Sequence, residues 1–301
     1  AEGNTISAIQ FCDDNDRGKE GTAFRGWLDD IRIEAEPARI DGSSLTHYVD
    51  TRRGTNSSGA FSRGSNEAIT AIPNGFNFLV PVTDASARSR EYSYHADNDE
   101  KNRTRFEGLG VSHQPSPWMG DRNEVSVMPV AGGGTPTGDL HVRAVTFSHD
   151  NETAQPDYYS VNLDNGIKPE MTPSNRGMVM RFKFTGDAGS IVLDSPTGDG
   201  DFTIDPASGT VTGWIDHGSG FRVGQSRMFV HGSFDRKPGT AGLAPGGRSL
   251  TKFATFDTSR EKTVTLRLAT SLISLEQAAR NLAMEIGGKT FDQVREEARA
   301  I

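Results

Sequence analysis

The densest gathering of chemically useful side chains lies between Tyr92 and Asp121. It opens with Tyr92-Ser93-Tyr94-His95 and closes with Gly110-Val111-Ser112-His113-Gln114-Pro115-Ser116-Pro117-Trp118-Met119-Gly120-Asp121. Pro115, Pro117 and Gly120 flank Trp118, so the indole is expected on an irregular loop whose backbone is stiffened by fixed φ angles. An indole held that way can stack on the apolar face of a pyranose, while His113, Ser116 and Asp121 supply donors and acceptors that orient hydroxyls. A Trp in this setting can also simply cap the end of a sheet, and composition alone favours that plainer role. A second unit, Ile72-Pro73-Asn74-Gly75-Phe76-Asn77 leading into Phe78-Leu79-Val80-Pro81, reads as a turn entering a core strand.

Other chemistries are thinly supplied. Asp194, Asp199 and Asp201 gather near Gly200, but without the ligand order and closing Glu of an EF-hand, so a hairpin loop is the better reading than a calcium site. Seven His residues show no His-x-x-x-His spacing, and neither a Gly-x-Ser-x-Gly elbow nor a phosphate loop occurs. A single Cys12 excludes a disulfide framework within the chain and a multi-thiolate metal cluster. A formal charge of −8 argues against a nucleic-acid partner, which calls for a surplus of Lys and Arg on one face. The longest apolar runs, such as Phe76 to Val82, fall well short of the roughly twenty residues of a membrane span, so a soluble chain is expected.

The elements that must position these residues are mostly strands. Apolar residues alternate in Val125 to Met128, Met178 to Phe184 and Thr263 to Leu268, with Gly, Pro, Asn and Asp between the windows. Turns are explicit at Asp164-Asn165-Gly166, Thr197-Gly198-Asp199-Gly200 and Asp205-Pro206-Ala207-Ser208-Gly209. After Ile273 the period becomes helical: Leu275, Ala278, Ala279, Leu282, Ala283 and Ile286 share one face, Ser274 with Gln277 has capping-box spacing, and Gly287-Gly288 stops the helix. Thr290 with Gln293 starts a second helix through Phe291, Val294 and Ala298 that shows no stop signal before Ile301. The chain is therefore expected to continue into a helical domain. Near the start, Gly26 to Ile33 reads as the last strand of an upstream carbohydrate-binding sandwich, or as a strand pairing with the main sheet.

The ordered series of motifs resembles the N-terminal β-domain of glycoside hydrolase family 92, the calcium-dependent exo-α-mannosidases. Tyr48-Val49-Asp50 with Gly54-Thr55 resembles the segment that opens the domain, and Pro73-Asn74-Gly75 with Pro81 its next phrase. Tyr92-Ser93-Tyr94, then Gly108 to His113, then Gly120-Asp121 with Val127-Met128-Pro129 follow in the family's order. Tyr158 to Leu163, Glu170-Met171-Thr172 with Arg176, and Ser271 to Ser274 with Glu276, Ala278 and Asn281-Leu282 complete it. The loop after His113 departs from the family's usual His-Leu-Ser-Gly-Thr-Gly, which leaves open whether the leaving group is a sugar or a phosphate. Arg52, Arg53, Arg63 and Arg122 share these loops and could face an anionic leaving group, although any one of them more often stays solvated.

The resemblance implies an all-β fold: a large antiparallel β-sandwich of the galactose-mutarotase-like supersandwich type, with a short C-terminal helical linker. Residues 1–40 are then the tail of an upstream module plus linker, 45–270 the supersandwich, and 271–301 the linker to an (α/α)6 toroid. It implies inverting release of terminal mannose from glycans such as N-glycans, by a secreted bacterial enzyme. Both catalytic carboxylates and most of the calcium shell would belong to the helical domain, so no catalytic or metal residue is expected in this chain. Trp118, His113, Ser116 and Asp121 would form a substrate-facing wall, with a mannose-containing glycan and the helical domain as partners. A mannosyl-phosphodiester hydrolase of the same family and a non-catalytic carbohydrate-binding module are the alternatives.

Overall fold

The computed structural model describes residues 42–55, 66–85, 91–94, 98–99, 103–112, 125–195, 198–218 and 225–301. Its strands, in chain order, are β1 (Phe78–Val82), β2 (Arg103–Phe106), β3 (Gly108–Ser112), β4 (Val125–Ala131), β5 (Val145–Ser148), β6 (Glu152–Ala154), β7 (Tyr159–Val161) and β8 (Lys168–Pro173). They continue with β9 (Gly177–Lys183), β10 (Ala188–Asp194), β11 (Asp199–Asp205), β12 (Thr210–Gly218), β13 (Gln225–Phe234), β14 (Thr240–Leu243), β15 (Lys252–Asp257) and β16 (Thr263–Ser271). The helices are the single turn α1 (Leu140–Arg143), then α2 (Leu275–Glu285) and α3 (Phe291–Arg299).

Period-two patterning decides the layers. In β9, Met178, Met180 and Phe182 point into the main core, as do Val264, Leu266 and Leu268 of β16. Opposite them stand Leu109 of β3, Val127 of β4 and Ile191 and Leu193 of β10, from the other sheet. One sheet has six strands in the order β1-β3-β4-β10-β15-β14, the other eight in the order β11-β12-β13-β16-β9-β8-β7-β6, and β2 pairs with β5 apart from both. All strand pairings are antiparallel among the described residues. This is the all-β sandwich with short C-terminal helices that the resemblance implies, built from the strands that the alternation predicts.

Local chemistry fixes the corners. Asp205 accepts from the Ala207 amide at 2.9 Å and from the Ser208 hydroxyl at 2.6 Å, closing the β11–β12 turn. Gly108 passes the chain from β2 into β3 with φ +151, where an added Cβ would stand 2.5 Å from Ser126 Oγ, so only glycine fits there.

The outer face of β9 and β16 is also apolar where the helices cover it. Val179 and Ala269 pack with Tyr158, Leu282, Ile286, Phe291 and Val294 in a second cluster. Ser274 caps α2 by accepting from the Gln277 amide, and Thr290 and Gln293 form a full capping box on α3, as the spacing predicts. The buried face of α2 is narrower than its apolar pattern: Ala283 is exposed, and Asn281 lies inside, donating to the Thr270 carbonyl at 2.9 Å. The Thr270 carbonyl of β16 meets α2 there, so an amide that donates to it suits the position better than a methyl. α3 ends at Arg299, directly after Ala298, the last of its buried residues Phe291, Val294 and Ala298.

Candidate functional site

Trp118, His113, Ser116 and Asp121 lie outside the described residues, as do Arg63, Arg122 and residues 1–40. The strand positions on either side of the first group are placed: Val111 of β3 faces Val125 of β4, and Phe78 of β1 faces Ser112. At this end the two sheets are tied together. The Thr270 hydroxyl donates to Asn77 Oδ1 at 2.7 Å, and the Phe76 amide donates to the Asn175 carbonyl at 2.9 Å. An open cavity of about 440 Å³ lies here, walled by Phe76, Arg176, Thr270, Gln277, Asn281 and Met284 among others. Leu272, Ile273 and Met284 leave an apolar rim exposed.

Along the flank of β1 three distant segments converge on one carboxylate. Glu152 of β6 is fully buried. Its Oε2 accepts from the Tyr92 hydroxyl at 2.8 Å and from His149 Nδ1 at 2.9 Å, and its Oε1 accepts from the Tyr159 hydroxyl at 2.7 Å. Because a carboxylate only accepts, His149 carries its proton on Nδ1, which leaves Nε2 buried and unpartnered. Tyr94 stacks on the His149 ring with centroids 4.2 Å apart, and Tyr92 packs with Val80 of β1. Burial, reinforced by the Glu152 charge, pushes the Tyr92 and Tyr159 phenols well above their ordinary range, so both remain protonated donors.

Arg52 joins this network rather than facing outward. Its Nε and one terminal nitrogen grip Asp50 at 2.9 and 2.8 Å, and the other terminal nitrogen reaches the His149 carbonyl at 3.1 Å and Glu152 at 3.4 Å. The guanidinium is held further in its charged form by the Asp50 hydrogen bond, despite partial burial. Of the four arginines weighed for an anionic leaving group, Arg52 is therefore already committed to internal partners.

The acidic group read as a hairpin loop lies instead at the end of β10 (Asp194) and in β11 (Asp199 and Asp201). Asp194 is bound by Arg143 at 2.6 Å, Asp199 by Arg248 at 2.7 Å and Asp201 by Lys252 at 3.2 Å, so each carboxylate has its own cation. No group of three or more His, Cys, Asp or Glu able to hold a metal occurs among the described residues. Four of the buried carboxylates, Glu152, Glu170, Asp157 and Asp194, are each paired with arginine, which makes these four scaffold.

Sequence reading missed Glu152 and His149. Their i, i+3 spacing across the 3-10 turn His149–Asn151 was the available local signal, and Tyr92 and Tyr159 are their partners.

Glu170 gives a pH prediction. Burial would raise its carboxyl pKa, but hydrogen bonds from Arg181 and Tyr158 outweigh that and hold it below the usual range. A depressed folded-state pKa contributes stability that is complete above the unfolded value of about 4.3 and is lost as pH falls through the folded value. Glu170→Gln should therefore narrow its stability gap to wild type below about pH 4, read as melting temperature against pH. A gap constant from pH 7 to pH 2 would count against the assignment.

Among the described residues, no helix is long and apolar enough to cross a membrane. The model of the glycosyl hydrolase family 92 N-terminal domain matches residues 48–271. The structure is similar to that of the family GH92 inverting mannosidase BT2199 from Bacteroides thetaiotaomicron VPI-5482, with 28% identity and a TM-score of 0.76 over 85% of this chain and 35% of that one. The GH92 α-mannosidase BT3965 from Bacteroides thetaiotaomicron shares the fold at 23% identity, with a TM-score of 0.68 over 86% of this chain and 37% of its own. The chain thus spans about a third of the length of these solved relatives. No curated protein sequence matches it. The ordered motifs, the two-sheet sandwich and the match across residues 48–271 together establish that the chain belongs to glycosyl hydrolase family 92, as its N-terminal domain.

Proposed function

We propose that this chain forms the N-terminal wall of the active site of an exo-α-mannosidase that releases terminal mannose with inversion. The observation that carries this reading is the family match over residues 48–271, joined to 28% identity with a solved inverting mannosidase. A mannoimidazole complex of BT3965 agrees with a mannose-type ligand. In this reading residues 45–270 are the supersandwich, 271–301 lead into a helical domain, and residues 1–40 belong to an upstream module. The enzyme is secreted and uses calcium, which in such an enzyme would hold hydroxyls of the terminal sugar. The described residues do not fit a calcium site, since their acidic clusters are neutralised by arginine and lysine. The ion and both catalytic carboxylates are assigned to the helical domain.

Trp118 is the stacking platform, with His113, Ser116 and Asp121 contacting hydroxyls or bracing the loop. The intact polypeptide should hydrolyse α-mannosides with β-mannose as the first product in an NMR time course, and a chelator should abolish turnover. Trp118→Ala should lower kcat/KM about a hundredfold while thermal stability stays near wild type. Equal losses of activity and stability would return Trp118 to a capping role, and an intact polypeptide that binds mannosides without cleaving them would leave a binding module. With Arg52 committed internally, the neutral disaccharide is expected to be the better substrate, and preference for a mannosyl phosphodiester would assign Arg53, Arg63 or Arg122 to the leaving group.

A further inference from the structure

Two acidic sockets lie beneath α3, the first on the outer face of β8 and β9. Glu170 receives Arg181 bidentately, at 2.8 and 3.1 Å, with the Tyr158 hydroxyl at 2.5 Å and Lys168 at 3.4 Å. The same Arg181 reaches Asp292 of α3 at 3.2 Å and lies over the Phe291 ring, 4.0 Å from its centroid. The second socket, Asp157, stands in the turn between β6 and β7 with its side chain 1% exposed. It accepts from Arg295 at 3.5 Å and Arg299 at 3.2 Å, one helical turn apart on α3. Arg295 also stacks over Tyr158 at 3.6 Å.

Each contact therefore couples a charge to a ring or to a second charge, which fixes α3 in rotation as well as in position. Apolar burial alone is modest, with Phe291, Val294 and Ala298 the buried side chains of this helix. Nine residues do not form a stable helix in water without such support. Asp157 has no other cation among its described contacts, and its Oδ1 is buried without a partner, so its charge depends on the two arginines of α3.

We propose that Asp157 and Glu170 are positioning residues that set the seat and direction of α3 on the sandwich. This rests on the reading above for its catalytic consequence: a helical domain following α3 takes its angle to the sugar-facing wall from these two carboxylates.

The test compares wild type, Asp157→Asn, Arg299→Gln and the double variant in the intact polypeptide. Amide hydrogen exchange of Val294 to Arg299 should quicken at least tenfold in Asp157→Asn, with β9 and β16 unchanged, and the double variant should add little to either single change. The value of kcat on an α-mannoside should fall at least fivefold in the same variants, while KM moves less than twofold. Arg299→Gln keeps the test open if Asp157→Asn fails to fold. Unchanged exchange in α3 would overturn the latch, and faster exchange with unchanged kcat would overturn its catalytic consequence. A wild type without mannosidase activity would sink the reading of function instead, and exchange alone would then decide the latch.

Discussion

Glu152→Ala should lower stability by about 3–5 kcal/mol in urea unfolding, since it strands several buried donors at once. The Tyr92 and Tyr159 hydroxyls and His149 Nδ1 all lose their acceptor, in surroundings that exclude water. Each unsatisfied buried group costs about 1–3 kcal/mol, and relaxation recovers part of the sum. Arg52 keeps Asp50, which limits the damage on that side. Glu152→Gln should be milder, because the amide retains an acceptor but turns a donor toward groups that also donate. A loss under about 1 kcal/mol in the alanine variant would mean that the network is hydrated or dispensable.

A similar loss is expected from Arg143→Met. Arg143 is fully buried, donates to Asp194 at 2.6 Å and to the Gly138 carbonyl at 2.6 Å, and Asp194 also accepts from Thr251 at 2.9 Å. Removing the cation leaves a buried carboxylate that can be relieved only by protonation, a cost of about 3–5 kcal/mol near neutral pH. That is a large fraction of the about 5–15 kcal/mol by which a domain is normally stable. The double change Arg143→Met with Asp194→Asn removes both charges and should recover much of the loss. A double-mutant cycle measures the difference, and strictly additive losses would show that the two side chains do not act as a pair.

The fold was legible to the extent that its information is local. The Asp205 turn, the caps at Ser274 and Thr290, and the alternation in β9 and β16 each depend on residues a few positions apart, and each appears as read. Ala283 and Asn281 show where local reading stops. The helical period makes alanine interior, whereas the Thr270 carbonyl, supplied by another element, selects the amide. The Glu152 network is harder still, since Arg52, Tyr92 and Glu152 meet across separations of 40 to 100 residues and no periodicity links them. The arginines illustrate the opposite error: Arg52 has the composition of an anion site, but its neighbours Asp50 and Glu152 supply the anions. For the sugar-facing wall, the motif order from Tyr48 to Leu282 carried the family, while individual roles for Trp118 and its neighbours rest on residue type alone.

Thr270 gives the sandwich a mechanical property. Its hydroxyl is fastened to Asn77 beside β1, and its carbonyl to Asn281 of α2, so one residue of β16 is pinned to the opposite sheet and to the helix above. Sliding of one sheet over the other would then drag α2 with it. Two consecutive hydrogen bonds thus join α2, β16 and the residue that precedes β1 into one line of contacts.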